Sequence, residues 1–242
     1  MEEYIDNAIS FLNKIKTEEK KNILEAAKLV KESLKKNKPI FIYGTGHSQI
    51  LAIEIFYRAG GLVPVNAMLD IGSSIHAGAI KSTGVERLPG YAKVLLDYFD
   101  VGKDDVIIIV SNSGKNAVPV EMAEGARARG AKVIALTGVE YSKSVPAAAP
   151  SGKKLFEVAD VVIDNKVPAG DAVLRLEGLD TPIAPISTIV NSAILHSITT
   201  EAIKMLLDEG IKPPVWKSSN VPGGDAFNKE NIKKYKYRIK AL

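Results

Sequence analysis

Short apolar runs that do not alternate with polar residues constrain this chain more than any other feature. Ile40-Phe41-Ile42-Tyr43, Leu62 to Asn66, Val106 to Val110, Lys132 to Leu136 and Val161 to Asp164 are such runs. A strand with one face in water alternates, so these predict strands buried on both faces. Helical spacing of apolar residues falls between them, near 47–59, 89–99 and 118–129. Strand and helix in alternation predict an α/β fold, a parallel sheet covered by helices on both sides. Two further helices precede it. Tyr4, Ala8, Leu12 and Ile15 recur at helical spacing, and Ile23, Ala27, Val30 and Leu34 repeat the pattern before Asn37 and Pro39 end it.

Two connections, 67–88 and 138–153, are longer than compact domains favour, and 165–181 reads as irregular. A helix from Pro185 to Leu207 follows, apolar nearly all round. Such a helix is buried in the core or against another subunit, which predicts a homodimer or higher oligomer. The whole reads as a single domain over 1–242, with a helical extension at 1–37, a core at 39–208 and a tail at 211–242.

Composition removes several function classes. Apolar stretches such as Val106 to Val110 and Pro182 to Ile186 are far shorter than the roughly 18–20 residues of a membrane span, so no membrane role is expected. The opening MEEYIDNAIS has no export pattern and cysteine is absent, so a reducing cytoplasm is expected. The net charge of +4 sits in the tail: six bases and one acid from Lys229 onward leave −1 for the rest. A neutral body is not a nucleic-acid footprint, and no nucleic-acid partner is expected.

Two loops carry the chemistry. Gly44-Thr45-Gly46-His47-Ser48 follows the first strand run and Ser111-Asn112-Ser113-Gly114-Lys115-Asn116 follows a later one. Small residues let backbone N–H groups approach an anion at a helix start, and hydroxyls complete the cradle. Ordinary turn chemistry explains one such loop; two in one sheet point to a shared phosphate site. Gly46, His47, Ser48, Ser111, Asn112, Ser113 and Asn116 are its candidate ligands. No third glycine closes a dinucleotide fingerprint, and no P-loop is present, so no cofactor is expected. Gly46-His47-Ser48-Gln49-Ile50 lacks the closing glycine of a nucleophile elbow.

Those loops, together with the runs EIFYRAGG and SNSGKNAVPVEMA, resemble the SIS (sugar isomerase) domain family over residues 20 to 208, in a single-domain branch similar to phosphoheptose isomerases. The resemblance implies a flavodoxin-like α/β/α sandwich with a five-stranded parallel sheet, a sugar phosphate ligand, and a homodimer or homotetramer whose active sites borrow residues from a neighbour. Asn116 departs from the pattern, standing where the family usually has a hydroxyl.

Aldose–ketose isomerisation needs a base at carbon and a group that shuttles oxygen protons. Glu54, on the helix behind the first loop, matches the family's base by resemblance, although an ion pair with Arg58 also explains it. His196, on the apolar C-terminal helix, resembles the family's catalytic histidine. Glu86 is the candidate second carboxylate for the runner-up, an etherase of the N-acetylmuramic acid 6-phosphate type; a non-catalytic phosphosugar sensor is the third reading. Some phosphoheptose isomerases hold zinc, but Ile50 and Thr188 stand at two of the matching ligand positions, so no metal is expected.

Overall fold

A strand sandwiched between two layers has no polar face, and the computed structural model, which describes residues 1–242, builds its sheet that way. The chain opens with α1 (Glu2–Glu18) and α2 (Lys20–Lys35), separated at Glu19, then forms β1 (Ile40–Gly44), a single 3₁₀ turn and α3 (Gln49–Ile55). Next come β2 (Val65–Ala67), α4 (Ala79–Glu86), α5 (Tyr91–Phe99), β3 (Val106–Val110) and α6 (Ala117–Ala128). The second half adds β4 (Lys132–Thr137), α7 (Val139–Ser144), α8 (Leu155–Val158) and β5 (Val161–Asp164). A small hairpin, β6 (Ala172–Leu174) with β7 (Ile183–Pro185), leads into α9 (Ser187–Asp208), and α10 (Gly224–Tyr235) closes the chain.

Five parallel strands lie in the order β2-β1-β3-β4-β5. Ile40, Ile42, Val106, Ile108 and Val110 point into one apolar core, shared with Ala26, Ala27 and Val30 of α2, Leu51 of α3 and Ile194 and Ile198 of α9. Phe41, Tyr43, Ile107 and Ile109 point the other way, onto α5 and α6 through Leu95, Leu96, Val120 and Met122. Successive side chains of β1 and β3 thus enter opposite cores, which is the physical source of the missing alternation.

The sheet order reverses between β1 and β3, the switch point at which open α/β sheets leave a crevice outside their carboxyl ends. Register levels that crevice. Ile40 pairs with Val106 and Gly44 with Val110, so the two candidate loops leave adjacent strands at the same height. Gly44 is required there: a Cβ on it would lie 2.5 Å from the Ser48 carbonyl oxygen, because the loop folds straight back over the strand end.

Several expectations are corrected. The second strand is Val65–Ala67 rather than 62–66; Leu62 instead bridges Val215 of the tail. The helix expected over 47–59 ends at Ile55, since Phe56 is extended and Tyr57 has a φ of 48°. The span 67–88 contains α4, and 138–153 contains α7, both too weakly amphipathic or too short to stand out in sequence. Within 165–181 lies strand β6. The last long helix starts at Ser187, two residues after Pro185. It buries Val190, Ile194, Ile198, Ala202 and Leu206 within the chain and leaves Ile189 and Leu207 exposed, so its apolar character is absorbed largely by α2 and α3.

At the far end of α9, Lys31 and Lys35 of α2 each donate to Glu209 at 2.6 Å and hold its carboxyl down to about 2. Because the folded value lies below the ordinary 4.5, the stabilisation is complete above about 4.5 and is lost as pH falls toward 2. Glu209→Gln is therefore expected to flatten the fall of Tm across that window, measured by thermal denaturation at stepped pH. Gly44→Ala is expected to cost roughly 1–3 kcal/mol in urea denaturation, the price of overpacking against backbone that cannot yield.

Candidate functional site

The two loops meet. Thr45, Gly46, His47 and Ser48 form one wall of a cavity of about 270 Å³, and Ser111, Asn112 and Ser113 form the facing wall. Glu86, the last residue of α4, and Tyr141 of α7 close its sides, with Gly170 and Asp171 from the turn before β6. The cavity opens at the carboxyl end of the sheet, over the β1–β3 switch point.

Each wall has a supporting layer. Gly46 adopts a φ of 57° and spends its N–H on the Ser73 carbonyl at 2.9 Å, a carbonyl that also accepts from Ser82 Oγ at 2.6 Å. The Gly46 amide is thus committed to the protein and is no free donor for an anion. Beneath it, Asp70 accepts from the Ser73 N–H at 2.6 Å and from the Tyr91 hydroxyl at 3.0 Å. Burial and the neighbouring Asp70 carboxylate push Tyr91 up to about 12. In the second loop, Ser111 Oγ accepts from the Gly114 N–H at 3.2 Å, which leaves the hydroxyl proton available. Gly114 has a φ of 56° and sits where a Cβ would approach Thr137 Oγ1 to 2.9 Å.

Behind that loop lies a set of side-chain amides that local sequence gave no means of pairing. Asn165, just past β5, and Asn191 of α9 are fully buried. Asn165 Nδ2 donates to Asn112 Oδ1 at 2.9 Å and to Asn191 Oδ1 at 3.0 Å, and Asn191 Nδ2 donates to Asn112 Oδ1 at 3.3 Å. The network turns the Asn112 oxygen inward and leaves its Nδ2 for a guest. Asp171 is equally committed: its carboxylate accepts from the N–H groups of Ile186 and Ser187 and from Ser187 Oγ, capping α9. These partners lie 15 and 16 residues away, bridged by the hairpin, so no capping pattern was visible.

Asn116 stands outside the cavity. It is the N-cap residue of α6, nearly buried, and forms no capping bond through its side chain. Glu54 and His196 come together 142 residues apart in sequence: His196 Nε2 lies 3.1 Å from Glu54 Oε1, while Glu54 Oε2 accepts from Arg58 at 3.0 Å. The pair does not line the cavity and is partly open to solvent, with side-chain exposures of 26% for Glu54 and 43% for His196. Glu54 lies six residues beyond Ser48, past the 3₁₀ turn and one residue from the end of α3. No group of three or more His, Cys, Asp or Glu side chains converges anywhere, and no helix is long and apolar enough to cross a membrane.

A sheet of this order with two small-residue loops at its switch point defines an α/β ligand-binding protein. Its particular family follows from comparison: the SIS domain model matches residues 3–138, and the chain belongs to the SIS domain family. It is 42% identical over 242 residues to a UPF0309 protein of Geobacillus thermodenitrificans, covering 100% of this chain and 97% of that one. A UPF0309 protein of Caldanaerobacter subterraneus is 43% identical over 242 residues, covering 99% and 98%. Among solved structures, a phosphoheptose isomerase from Francisella tularensis superposes with a TM-score of 0.55 at 20% identity, over 83% of this chain and 95% of that one, a likeness of fold.

The amide network is expected to carry measurable stability. Asn165→Ala strands the Asn191 oxygen and the Val167 N–H, while Asn112 keeps its bond from Asn191, and roughly 1–3 kcal/mol should be lost for each buried group left unpaired, read by urea denaturation.

Proposed function

We propose that this protein binds a sugar phosphate between its two loops and interconverts the aldose and ketose forms. The observation that carries the reading is the convergence of both hydroxyl-bearing loops on one polar cavity at the sheet's switch point. No lysine or arginine lines it. The phosphate is held by neutral donors, the hydroxyls of Ser48, Ser111 and Ser113 and Asn112 Nδ2.

In this reading the sugar's carbon chain runs from the phosphate toward Glu54. The Glu54 carboxylate takes the proton from the carbon beside the carbonyl, and the electron pair moves onto the carbonyl oxygen as an enediolate forms. His196 carries the proton between the two oxygens, and Glu54 returns its proton to the neighbouring carbon. No net oxidation occurs. The resemblance to SIS enzymes adds a homo-oligomer, in which a second copy completes the partly open surface around Glu54 and His196.

One observation favours a second reading: Glu86, unlike Glu54, is in the cavity wall. A carboxylate there suits an elimination of the etherase type, in which one group removes a carbon-bound proton and another assists the leaving oxygen.

The test begins with a thermal-shift screen of sugar phosphates against their dephosphorylated counterparts, where a ligand at a hundred times its Kd adds about 2.7 kcal/mol. Ser113→Ala should weaken binding by about tenfold or more. With a ligand in hand, deuterium uptake from D₂O beside the carbonyl should fall at least about a hundredfold in Glu54→Gln. Uptake that survives Glu54→Gln but not Glu86→Gln would move the chemistry to the second reading, and stabilisation without any uptake would make the protein a sensor.

A further inference from the structure

The basic tail and the Pro-Pro-Val-Trp segment have no part in that chemistry. After α9 the chain runs back along residues 60–63: Val63 N–H donates to the Pro214 carbonyl at 3.0 Å, Trp216 N–H to Gly61 at 2.9 Å, and Gly60 N–H to Trp216 at 2.9 Å. This seats Trp216 in a small apolar cluster with Val63, Tyr235 and Ile239. Between the tail and the last turns of α9 it leaves a cavity of about 620 Å³, within the range of small-molecule sites.

The floor of that cavity is apolar, made by Ile203 and Leu207 of α9, Trp216 and Phe227. Its rim carries three exposed lysines, Lys212, Lys217 and Lys234, none of which has a carboxylate within ion-pair distance. A second hollow of about 270 Å³ shares Lys212 and Lys234 with the first and adds Lys35 and Lys38. Neither hollow is lined by an Asp or a Glu. Lys35 is already paired with Glu209 and Lys38 lies 3.4 Å from Asp105, so the unpaired charges are those of Lys212, Lys217 and Lys234, whose local positive field a polyanion relieves. Lys38 and Pro64 precede β1 and β2, so the hollows lie at the amino ends of the strands, opposite the loop cavity.

We infer that the Trp216 cavity with its adjoining hollow is a second ligand site, for a nucleoside di- or triphosphate. Lys212 and Lys234, both unpaired and both lining the two adjoining hollows, match a chain of phosphates better than a single carboxylate, which one lysine would satisfy. The wider hollow supplies what a base needs, an apolar floor with the Phe227 ring open to solvent and the Lys217 ammonium 4.4 Å from that ring's centroid. The base lies on this floor and the phosphates reach Lys212 and Lys234.

Trp216 is the single tryptophan of the chain and lines this cavity, so its fluorescence offers a probe of binding here. The full-length protein is titrated with ADP, and separately with adenosine and with pyrophosphate. A saturable change is expected with ADP, with each half-ligand binding at least about tenfold more weakly. Lys212→Gln and Lys234→Gln, both at exposed positions, should each weaken ADP by about tenfold, while Lys212→Arg retains it. Three results would overturn the site: no saturable response to ADP, pyrophosphate binding as well as ADP, or glutamine variants that bind ADP like the parent. Co-sedimentation with phosphatidylglycerol vesicles without an ADP response would also overturn it, assigning the lysines to a membrane-facing surface. None of these outcomes depends on whether sugar phosphates occupy the loop cavity.

Discussion

The pairing of β1 with β3 is the constraint on which the rest depends. Both strands are buried on both faces, so a slip of one residue would turn Ile40 and Ile42 toward the core built for Phe41 and Tyr43 and displace every partner. The same slip would lower one loop relative to the other by about 3.3 Å, more than the length of a hydrogen bond. Core packing therefore sets the height at which Ser48 and Ser111 face each other. The apolar interior and the polar cavity are two consequences of one register.

Electrostatics in that cavity run against a simple expectation. A site for a doubly charged monoester would be expected to gather cations, yet its wall holds two carboxylates and no lysine or arginine. Asp171 explains half of this, since its charge is neutralised by the amino end of α9 and by three hydrogen bonds. Glu86 has no such commitment, and its place in the wall is what the second reading rests on.

What could be read from the residues was whatever depends on local pattern. The strands at 40–44, 106–110 and 161–164 declare themselves by unbroken apolar runs, and the two loops by small residues between a strand and a helix. Strand β2 was displaced because Leu62 and Val63 are apolar for another reason, their contacts with Val215 and Trp216 of the tail. The Asn112–Asn165–Asn191 network and the Asp171 cap join residues 15 to 79 positions apart, and no periodicity records such pairings. Tyr141 was hidden in a six-residue helix with no amphipathic signature. Asn116 shows the opposite case, where a loop motif suggests a ligand contact but the residue lies outside the wall, while Gly46 lines the wall with its amide already bonded to Ser73.

The Glu54–His196 pair shows how a structural contact and a reactive one can share the same atoms. Arg58 holds one carboxylate oxygen, but more than half of its side chain is exposed, and an exposed i,i+4 pair contributes only about 0.3–0.5 kcal/mol. Such a contact yields easily to a substrate hydroxyl. The other oxygen faces His196 Nε2, and if that nitrogen donates, the imidazole is the tautomer whose Nδ1 is free to accept a proton. In the isomerase reading proposed above, a carboxylate weakly tied on one side and facing an imidazole on the other is the arrangement that proton transfer requires. The ion pair that would explain Glu54 without chemistry is too weak to prevent it.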